Sequence, residues 1–212
     1  MTEMLDIFDA NHMLLGTCEK VAAHQQGLWH QTFHCWIVNE RAGTGHVLLQ
    51  LRSATKSSHP NLLDISAAGH LQTGEAPLDG LRELREELGV DVDPAELVYL
   101  GVRRSCWDQG ALQNREFAHV YLLRDDRPLE KYTFADGEVS ALVEISIADA
   151  LALVAGEVAC IPAMSAQPED GEMRLSSRSV TVADLVPQAD SYYEAVLVMA
   201  ELYLRGAKYL GI

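Results

Sequence analysis

The chain has 212 residues, 48% of them hydrophobic, and a formal net charge of −15 at pH 7. This acidic excess argues against binding to a nucleic-acid polymer, which requires clustered Lys and Arg, but it does not exclude nucleotides, whose charge a bound metal ion balances. No apolar run reaches the roughly 18 residues of a membrane span, no signal peptide is recognisable and the four cysteines lack C-x-x-C spacing, so we expect a cytoplasmic protein with reduced thiols.

Strands and helices alternate along the chain. An N-terminal β-hairpin is expected within residues 1–20, where apolar runs at residues 4–8 and 13–16 flank a polar turn. Further strands are predicted, in chain order, at residues 33–38, 47–52, 97–103, 117–123 and 139–145. The predicted helices are a short one that ends at Gly89, one at residues 147–155 that Ser146 caps, and an apolar one at residues 191–209 that packs in the core or at an interface.

Three polar segments are predicted to be loops. Residues 53–64 lead toward the short helix, residues 103–115 connect two strands, and residues 163–180 are rich in Ser, Glu, Pro and Gly. Because specificity is carried by loops more often than by the core, the second and third segments are the predicted selectors of the substrate.

The short helix carries an acidic face. Glu83, Glu86 and Glu87 are related as i, i+3 and i+4, which puts their carboxylates within roughly 5–6 Å of one another. Like charges at that distance repel unless a cation lies between them, and Mg²⁺ suits oxygen ligands and keeps phosphates as further ligands. The alternative is an ordinary surface helix, since Leu81 and Leu84 begin an apolar stripe that leaves the charged residues in solvent.

The segment around this helix resembles the Nudix box, whose pattern is G-x5-E-x7-R-E-U-x-E-E-x-G-U with U an aliphatic residue. Nine positions agree with the pattern, and these are Gly69, Glu75, Arg82, Glu83, Leu84, Glu86, Glu87, Gly89 and Val90. One spacing departs from it, because six residues rather than seven separate Glu75 from Arg82. The shorter entrance to the helix leaves open whether these two side chains meet.

The resemblance implies a fold. Nudix proteins are α/β (α+β) proteins in which a mixed sheet lies between helices, an α/β/α sandwich, and here an N-terminal β-hairpin and a C-terminal helix would be added. Together with the chain length, it predicts a single domain over residues 1–212. The expected parts are a core at about residues 30–157, the hairpin at residues 1–20 and a helical extension at residues 182–212.

The resemblance also implies roles for the box residues. In Nudix enzymes the matching glutamates bind the metal ion, so Glu83, Glu86 and Glu87 are the implied ligands of Mg²⁺, with Mn²⁺ as an alternative. The carbonyl group of Gly69 would add a ligand, and Arg82 would orient the glutamates. The implied catalytic residues are therefore Arg82 and Glu86.

A protein base that helps to activate water is also expected. Glu116 and Glu138 are the two candidates, and the sequence does not choose between them.

A second set of residues resembles isopentenyl diphosphate isomerase, a relative within the same fold superfamily. Arg52 and Lys56 match the Arg and Lys with which the isomerase binds its diphosphate, which implies that they bind the substrate.

The isomerase builds its metal site from histidines and glutamates, and His30, His70 and Glu116 match members of that set. His24 lies within one residue of a fourth member of that set. Imidazole and carboxylate ligands suit a transition metal as well as Mg²⁺.

Two departures argue against isomerase activity. Ala68 stands where the isomerase has its catalytic cysteine, and alanine has no group that transfers a proton. Asn114 replaces a second carboxylate beside Glu116.

Three hypotheses for the function follow. The leading one is a Mg²⁺-dependent diphosphate phosphohydrolase that cleaves the diphosphate bond of a nucleoside diphosphate derivative. The alternatives are an isomerase-like enzyme and a non-catalytic module that binds a nucleotide without cleaving it. The expected partner is a small-molecule diphosphate, with neither a nucleic-acid polymer nor a membrane, and the apolar C-terminal tail is compatible with a symmetric homodimer.

Overall fold

The structure is a computed structural model that describes residues 3–110, 112–134 and 137–212. Within these ranges, eleven strands form one sheet. The strands are β1 Met4–Phe8, β2 Leu14–Glu19, β3 Trp29–Arg41, β4 Thr44–Arg52, β5 Leu63–Asp64, β6 Ala67–His70, β7 Val98–Gln109, β8 Leu112–Arg124, β9 Val139–Ser146, β10 Ile161–Glu169 and β11 Glu172–Val180. The helices are α1 Lys20–Gln26, α2 Leu81–Leu88, α3 Ile147–Val154 and α4 Tyr192–Leu204.

Strand β3 is central to the sheet. It runs parallel to β8 and antiparallel to β1, β6 and β4, which pair with successive parts of its length. Beyond β4 the sheet continues through β9 and β10 to β11. The parallel pair of β3 and β8 among antiparallel pairs makes the sheet mixed, as predicted.

The two faces of the sheet pack against different helices. Alternate side chains of a strand point to opposite faces, and Trp36 of β3 belongs to a core cluster with Leu197 of α4 and Leu153 of α3. Its neighbour Ile37 belongs to a second cluster with Leu84 of α2. The sheet therefore lies between two helical layers, which confirms the predicted α/β/α sandwich.

The segment from residue 163 to residue 180 is a β-hairpin, so the prediction of a loop there was wrong. Strands β10 and β11 pair along their whole length, from Ile161 opposite Val180 to Glu169 opposite Glu172. Asp170 and Gly171 form the two-residue turn with φ angles of 54° and 83°. Asp-Gly is a strong signal for a tight hairpin, because both residues tolerate positive φ. The loop prediction weighed the polar composition and overlooked that signal.

The segment from residue 103 to residue 115 is also mostly strand rather than loop. Strands β7 and β8 continue to pair from Arg103 opposite Ala118 to Gln109 opposite Leu112. Polar side chains fit these strand ends because the pairing is local and needs little apolar burial. The turn of this hairpin includes residue 111, which lies outside the described residues.

The terminal elements differ from the predictions mainly in extent. The N-terminal hairpin is confirmed, with its second strand running to Glu19, and helix α1, which follows it directly, was not predicted. The hydroxyl of Ser146 accepts a hydrogen bond from Asp149 N at 3.0 Å, so it caps α3 as predicted. Helix α4 ends at Leu204, five residues before the predicted end, and much of its apolar surface packs inside the chain. The homodimer stays a prediction.

Two features bear on the environment of the protein. In the described ranges, no helix combines the length and the apolar composition that crossing a bilayer requires. All four cysteines lie within those ranges, and they carry free thiols as their spacing predicted.

Candidate active site

Arg82 holds the acidic residues of the box together. Its guanidinium group contacts Glu75 at 3.1 Å, Glu83 at 2.5 Å and Glu86 at 3.4 Å, and it donates a hydrogen bond to the carbonyl oxygen of His70 at 2.7 Å. The contact with Glu75 forms despite the missing residue, because the 3₁₀ turn Pro77–Gly80 leads directly into α2. Arg82 thereby fixes the start of α2 against the end of β6.

Gly69 lies against the carboxylate of Glu83. A side chain at residue 69 would overlap the carboxylate group of Glu83 and displace it from this position. The box glycine and the first box glutamate, which the sequence paired only through the Nudix pattern, are therefore adjacent in space.

Glu87 is the most deeply buried of the three box glutamates. Only 1% of its surface is exposed. Its Oε2 accepts hydrogen bonds from the backbone N–H of Ala68 at 3.2 Å and from Gln50 Nε2 at 3.3 Å. Hydrogen bonds of this kind, or a bound metal ion, offset the cost of burying a carboxylate.

The electrostatics of this face fit a cation. Burial raises the pKa of Glu83 to about 7, Arg82 opposes that shift, and the negative charges of Glu86 and Glu138 add to it. A divalent cation bound here would favour the ionised form of Glu83. Grouped carboxylate oxygens are ligands that suit a hard divalent cation.

The two cations upstream of the box are paired with acidic residues. Arg52 contacts Asp64 Oδ2 at 2.8 Å and donates further hydrogen bonds to Ser58. Lys56 forms an ion pair with Glu138 at the edge of the same region. Both positive charges lie near the box, and Arg52 is the more firmly held of the two.

Three histidines converge beside the acidic face. His24, His30 and His70 each place a ring nitrogen within 4.8 Å of the nitrogens of the other two. His30 Nε2 lies 4.0 Å from Glu116 Oε1 and, among the described residues, has no hydrogen-bond partner. Thus the structure brings together His30, His70 and Glu116, which the sequence had related only by resemblance, and it adds His24 from α1.

The backbone orients two of these rings. Nδ1 of His24 donates to the carbonyl oxygen of Lys20 at 2.7 Å, and Nδ1 of His30 donates to that of Leu28 at 2.9 Å. A neutral imidazole that donates through Nδ1 has a lone pair on Nε2, which is the form that binds metals. Burial lowers the pKa of His30, which favours that neutral form.

Asn114 and Thr32 also present buried polar atoms next to this cluster. Each side chain is 3% exposed, and within the described ranges neither Asn114 Oδ1 nor Thr32 Oγ1 has a hydrogen-bond partner. Thr32 pairs with His70 in the sheet, and Asn114 precedes Glu116 by two residues on β8. Buried polar groups are normally paired, so each of these atoms is available to a ligand.

Some features near the site were not predicted from the sequence. The resemblance placed His24 one residue from a position of the metal set, but helix α1, which brings His24 to the cluster, was not predicted. Asp64, which holds Arg52, lies in a strand of only two residues, for which the sequence carries no clear signal.

A comparison with known protein families agrees with this geometry. A sequence profile of the NUDIX domain matches residues 28–163. The chain belongs to the NUDIX family. The matched range holds the box, β3 to β9 and α3, so the N-terminal hairpin and α4 are additions to the Nudix domain of this chain.

Relatives of this Nudix chain include hydrolases and isomerases. It is 35% identical over 196 residues to an uncharacterized Nudix hydrolase of Clostridium acetobutylicum, covering 92% of this chain and 95% of the relative. It is 32% identical over 152 residues to the isopentenyl-diphosphate Delta-isomerase of Shigella boydii, covering 71% of this chain and 80% of that enzyme. Among solved structures, DR0079 from Deinococcus radiodurans superposes with a TM-score of 0.53 and 25% identity, covering 73% of this chain and 90% of DR0079.

The family membership establishes the class of the protein. This chain is an enzyme of the Nudix hydrolase class, and Nudix hydrolases act on small-molecule substrates.

Proposed function

We propose that this protein is a Mg²⁺-dependent hydrolase that cleaves the diphosphate bond of a nucleoside diphosphate derivative. The observation that supports this most is the arrangement around Arg82, which holds Glu83 and Glu86 on one face of α2. The buried carboxylate of Glu87 lies against the neighbouring strand β6. Carboxylates grouped in this way would bind a cation that in turn binds the diphosphate.

Each box residue has a role in this proposal. Glu83, Glu86 and Glu87, with the carbonyl oxygen of Gly69, would hold Mg²⁺, or Mn²⁺ as the alternative. A bound divalent ion neutralises diphosphate oxygens and lowers the pKa of water. Arg82 keeps the carboxylates in position through its simultaneous hydrogen bonds, and it is therefore a positioning residue.

Arg52 and Lys56 are proposed to bind the diphosphate. In the free protein Lys56 is paired with Glu138, and a phosphate group would replace that carboxylate, because both are anions whose oxygens accept charge-assisted hydrogen bonds. Arg52 has Asp64 and Ser58 as fixed partners, so it would bind through the donors that these partners leave over.

Two carboxylates compete for the role of the base. Glu138 is close enough to Glu83 to raise its pKa, whereas Glu116 lies with the histidines. Loss of a base lowers kcat at unchanged metal affinity, whereas loss of a metal ligand lowers both. Measuring Mg²⁺ affinity and kcat for Glu116→Gln and Glu138→Gln therefore identifies the base, which we assign to Glu116 as the residue that also adjoins His30.

The direct test is a panel of nucleoside diphosphate derivatives with phosphate detection, run with Mg²⁺ and with Mn²⁺. We expect at least one member to be cleaved in a metal-dependent manner, and chelation of the metal to abolish cleavage. Tight binding of a nucleotide without turnover under any metal would instead support the non-catalytic module. Absence of both binding and turnover across the panel would contradict the proposal.

We also propose that His24, His30 and His70 bind a second divalent cation. The convergent ring nitrogens support this, and Asn114 Oδ1 is a further oxygen nearby in sequence. Imidazole-rich sites suit transition metals, so we expect Co²⁺ affinity to fall at least about tenfold in His70→Gln, as removal of a ligand does. The measurement is calorimetric titration, with His46→Gln on β4 as the control. Equal affinity in His70→Gln and the parent would contradict this site.

Isomerisation of an allylic diphosphate is the second candidate function, and the histidine cluster is the observation that favours it. Ala68 opposes it, since it offers no acid or base beside Gly69. Exchange of solvent protons into isopentenyl diphosphate would establish the activity, and its absence under conditions of metal saturation would exclude it.

We propose a single domain for residues 1–212. Strand β1 pairs with β3 in the sheet, and α4 packs on β3 and α3, so both additions share the Nudix core. One cooperative unfolding transition in calorimetry is expected, and two resolved transitions would contradict it.

A further inference from the structure

The start of α4 reaches the face of β3 that carries the histidines. The hydroxyl oxygen of Tyr192 lies 3.0 Å from Trp36 Nε1 and 3.0 Å from His34 Nδ1. Tyr192 is 3% exposed. A side chain outside the matched Nudix range thus contacts the central strand of the domain.

The donors and acceptors at this contact determine which ring nitrogen of His34 carries the proton. An indole N–H only donates, so Trp36 uses one lone pair of the Tyr192 oxygen. The hydroxyl proton of Tyr192 then needs an acceptor, and among the described residues His34 Nδ1 is the one within hydrogen-bond distance. An imidazole that accepts at Nδ1 carries its proton on Nε2. Burial lowers the pKa of His34, which keeps the ring neutral.

His34 lies on the site side of β3. It pairs with Ala68 of β6 and with Val120 of β8, and its side chain points to the same face as His30, four residues earlier. The charges of Glu116 and Asp64 both act on the ring. The backbone N–H of Ala68, the residue opposite His34, donates to Glu87 Oε2 of the box at 3.2 Å.

A clamp holds Tyr192 in place. The guanidinium carbon of Arg103 lies 4.0 Å from the centroid of the Tyr192 ring. Arg103 also forms an ion pair with Asp190 at 2.8 Å and donates to Gln188 Oε1 at 2.9 Å. The segment that leads into α4 is thereby attached to β7, and the hydroxyl of Tyr192 is aimed at His34.

We propose that His34 donates a hydrogen bond from Nε2 to the diphosphate of the substrate, and that Tyr192 is the residue that positions it. The inference rests on the proposed function, since it requires a diphosphate at the acidic face. It makes α4 part of the substrate site, so residues outside the Nudix domain contribute to substrate binding.

The test is titration of the Mg²⁺-loaded protein with methylenediphosphonate, a diphosphate analogue that is not hydrolysed. A glutamine amide reaches the position of Nε2, whereas an asparagine amide reaches only that of Nδ1. We expect His34→Gln to bind like the parent and His34→Asn to bind about tenfold more weakly, the effect of one hydrogen bond to an anion. Tyr192→Phe should bind several-fold more weakly, with a rise in KM rather than a fall in kcat.

Tyr193→Phe is the matched control. Tyr193 is the next residue of α4 and is similarly buried, but its hydroxyl donates to the Val186 carbonyl at 3.0 Å and not to His34. We expect its affinity to change by less than about twofold.

A spectroscopic measurement tests the positioning role in the free protein. Nitrogen-15 NMR of the histidine rings should give the Nε2–H tautomer for His34 in the parent and in Tyr193→Phe, and a changed signal in Tyr192→Phe. An Nδ1–H tautomer in the parent, or equal binding by His34→Asn and His34→Gln, would overturn the inference alone if Glu87→Gln still abolishes diphosphonate binding. No binding by the parent would overturn both this inference and the proposed function.

Discussion

Replacement of Glu87 by glutamine is expected to lower kcat/KM at least about tenfold, because it removes a charged ligand from the proposed metal site. Glutamine has nearly the same shape, so the hydrogen bonds that Glu87 accepts from Ala68 N and Gln50 can be kept by the amide oxygen. The fold should therefore be retained while Mg²⁺ affinity falls. Steady-state kinetics at saturating Mg²⁺ and a calorimetric Mg²⁺ titration measure the two effects.

Glu201→Gln is the control for this variant. Glu201 lies on α4, far from the box in sequence, and its carboxylate contacts the exposed Arg205 one turn later. We expect its rate and its Mg²⁺ affinity to equal those of the parent. A Glu87→Gln enzyme with parental activity would show that Glu87 does not bind the catalytic cation.

Substitution of Arg82 by lysine is expected to lower kcat at least about tenfold and the free energy of unfolding by about 1–3 kcal/mol. The guanidinium group contacts Glu75, Glu83, Glu86 and the carbonyl oxygen of His70 at the same time. A single ammonium group keeps the charge but cannot reach all four, so some of these acceptors lose their partner. Kinetics and chemical denaturation measure the losses.

Arg85→Lys is the matched control. It is the same substitution, made three residues later on the same helix. The side chain of Arg85 is 62% exposed, and its contact with Asp91 is 3.7 Å long. Exposed pairs of this kind contribute little, so we expect a change within about 0.5 kcal/mol. Equal effects of the two substitutions would contradict the role given to Arg82.

The parts of the fold that the sequence predicted are those with strong local signals. The glycine at residue 89 ends α2 with a φ of 64°. The largely apolar run of β3 is typical of a strand that is buried on both faces. The hairpin at residues 161–180 was missed because its polar composition was weighed above the Asp170-Gly171 turn. The polar composition of this segment indicates that its side chains are exposed. Whether it forms a strand depends also on its pairing with β9, which lies elsewhere in the chain.

The candidate site divides in the same way. The three box glutamates lie within one turn of helix, so spacing alone brought them together. The histidine cluster required a sheet register, which pairs His30 with Glu116, and a helix that was not predicted, which supplies His24. The contact between His34 and Tyr192 spans 158 residues of chain, and no local pattern could have indicated it.

We propose that the box glutamates hold the divalent cation that binds the diphosphate, and a crystal structure of the protein soaked in Mg²⁺ tests this. We expect an ion at about 2.1 Å from carboxylate oxygens of Glu83, Glu86 and Glu87, the usual distance for Mg²⁺. Carboxylates that remain apart, with the ion absent or bound at another place, would contradict it.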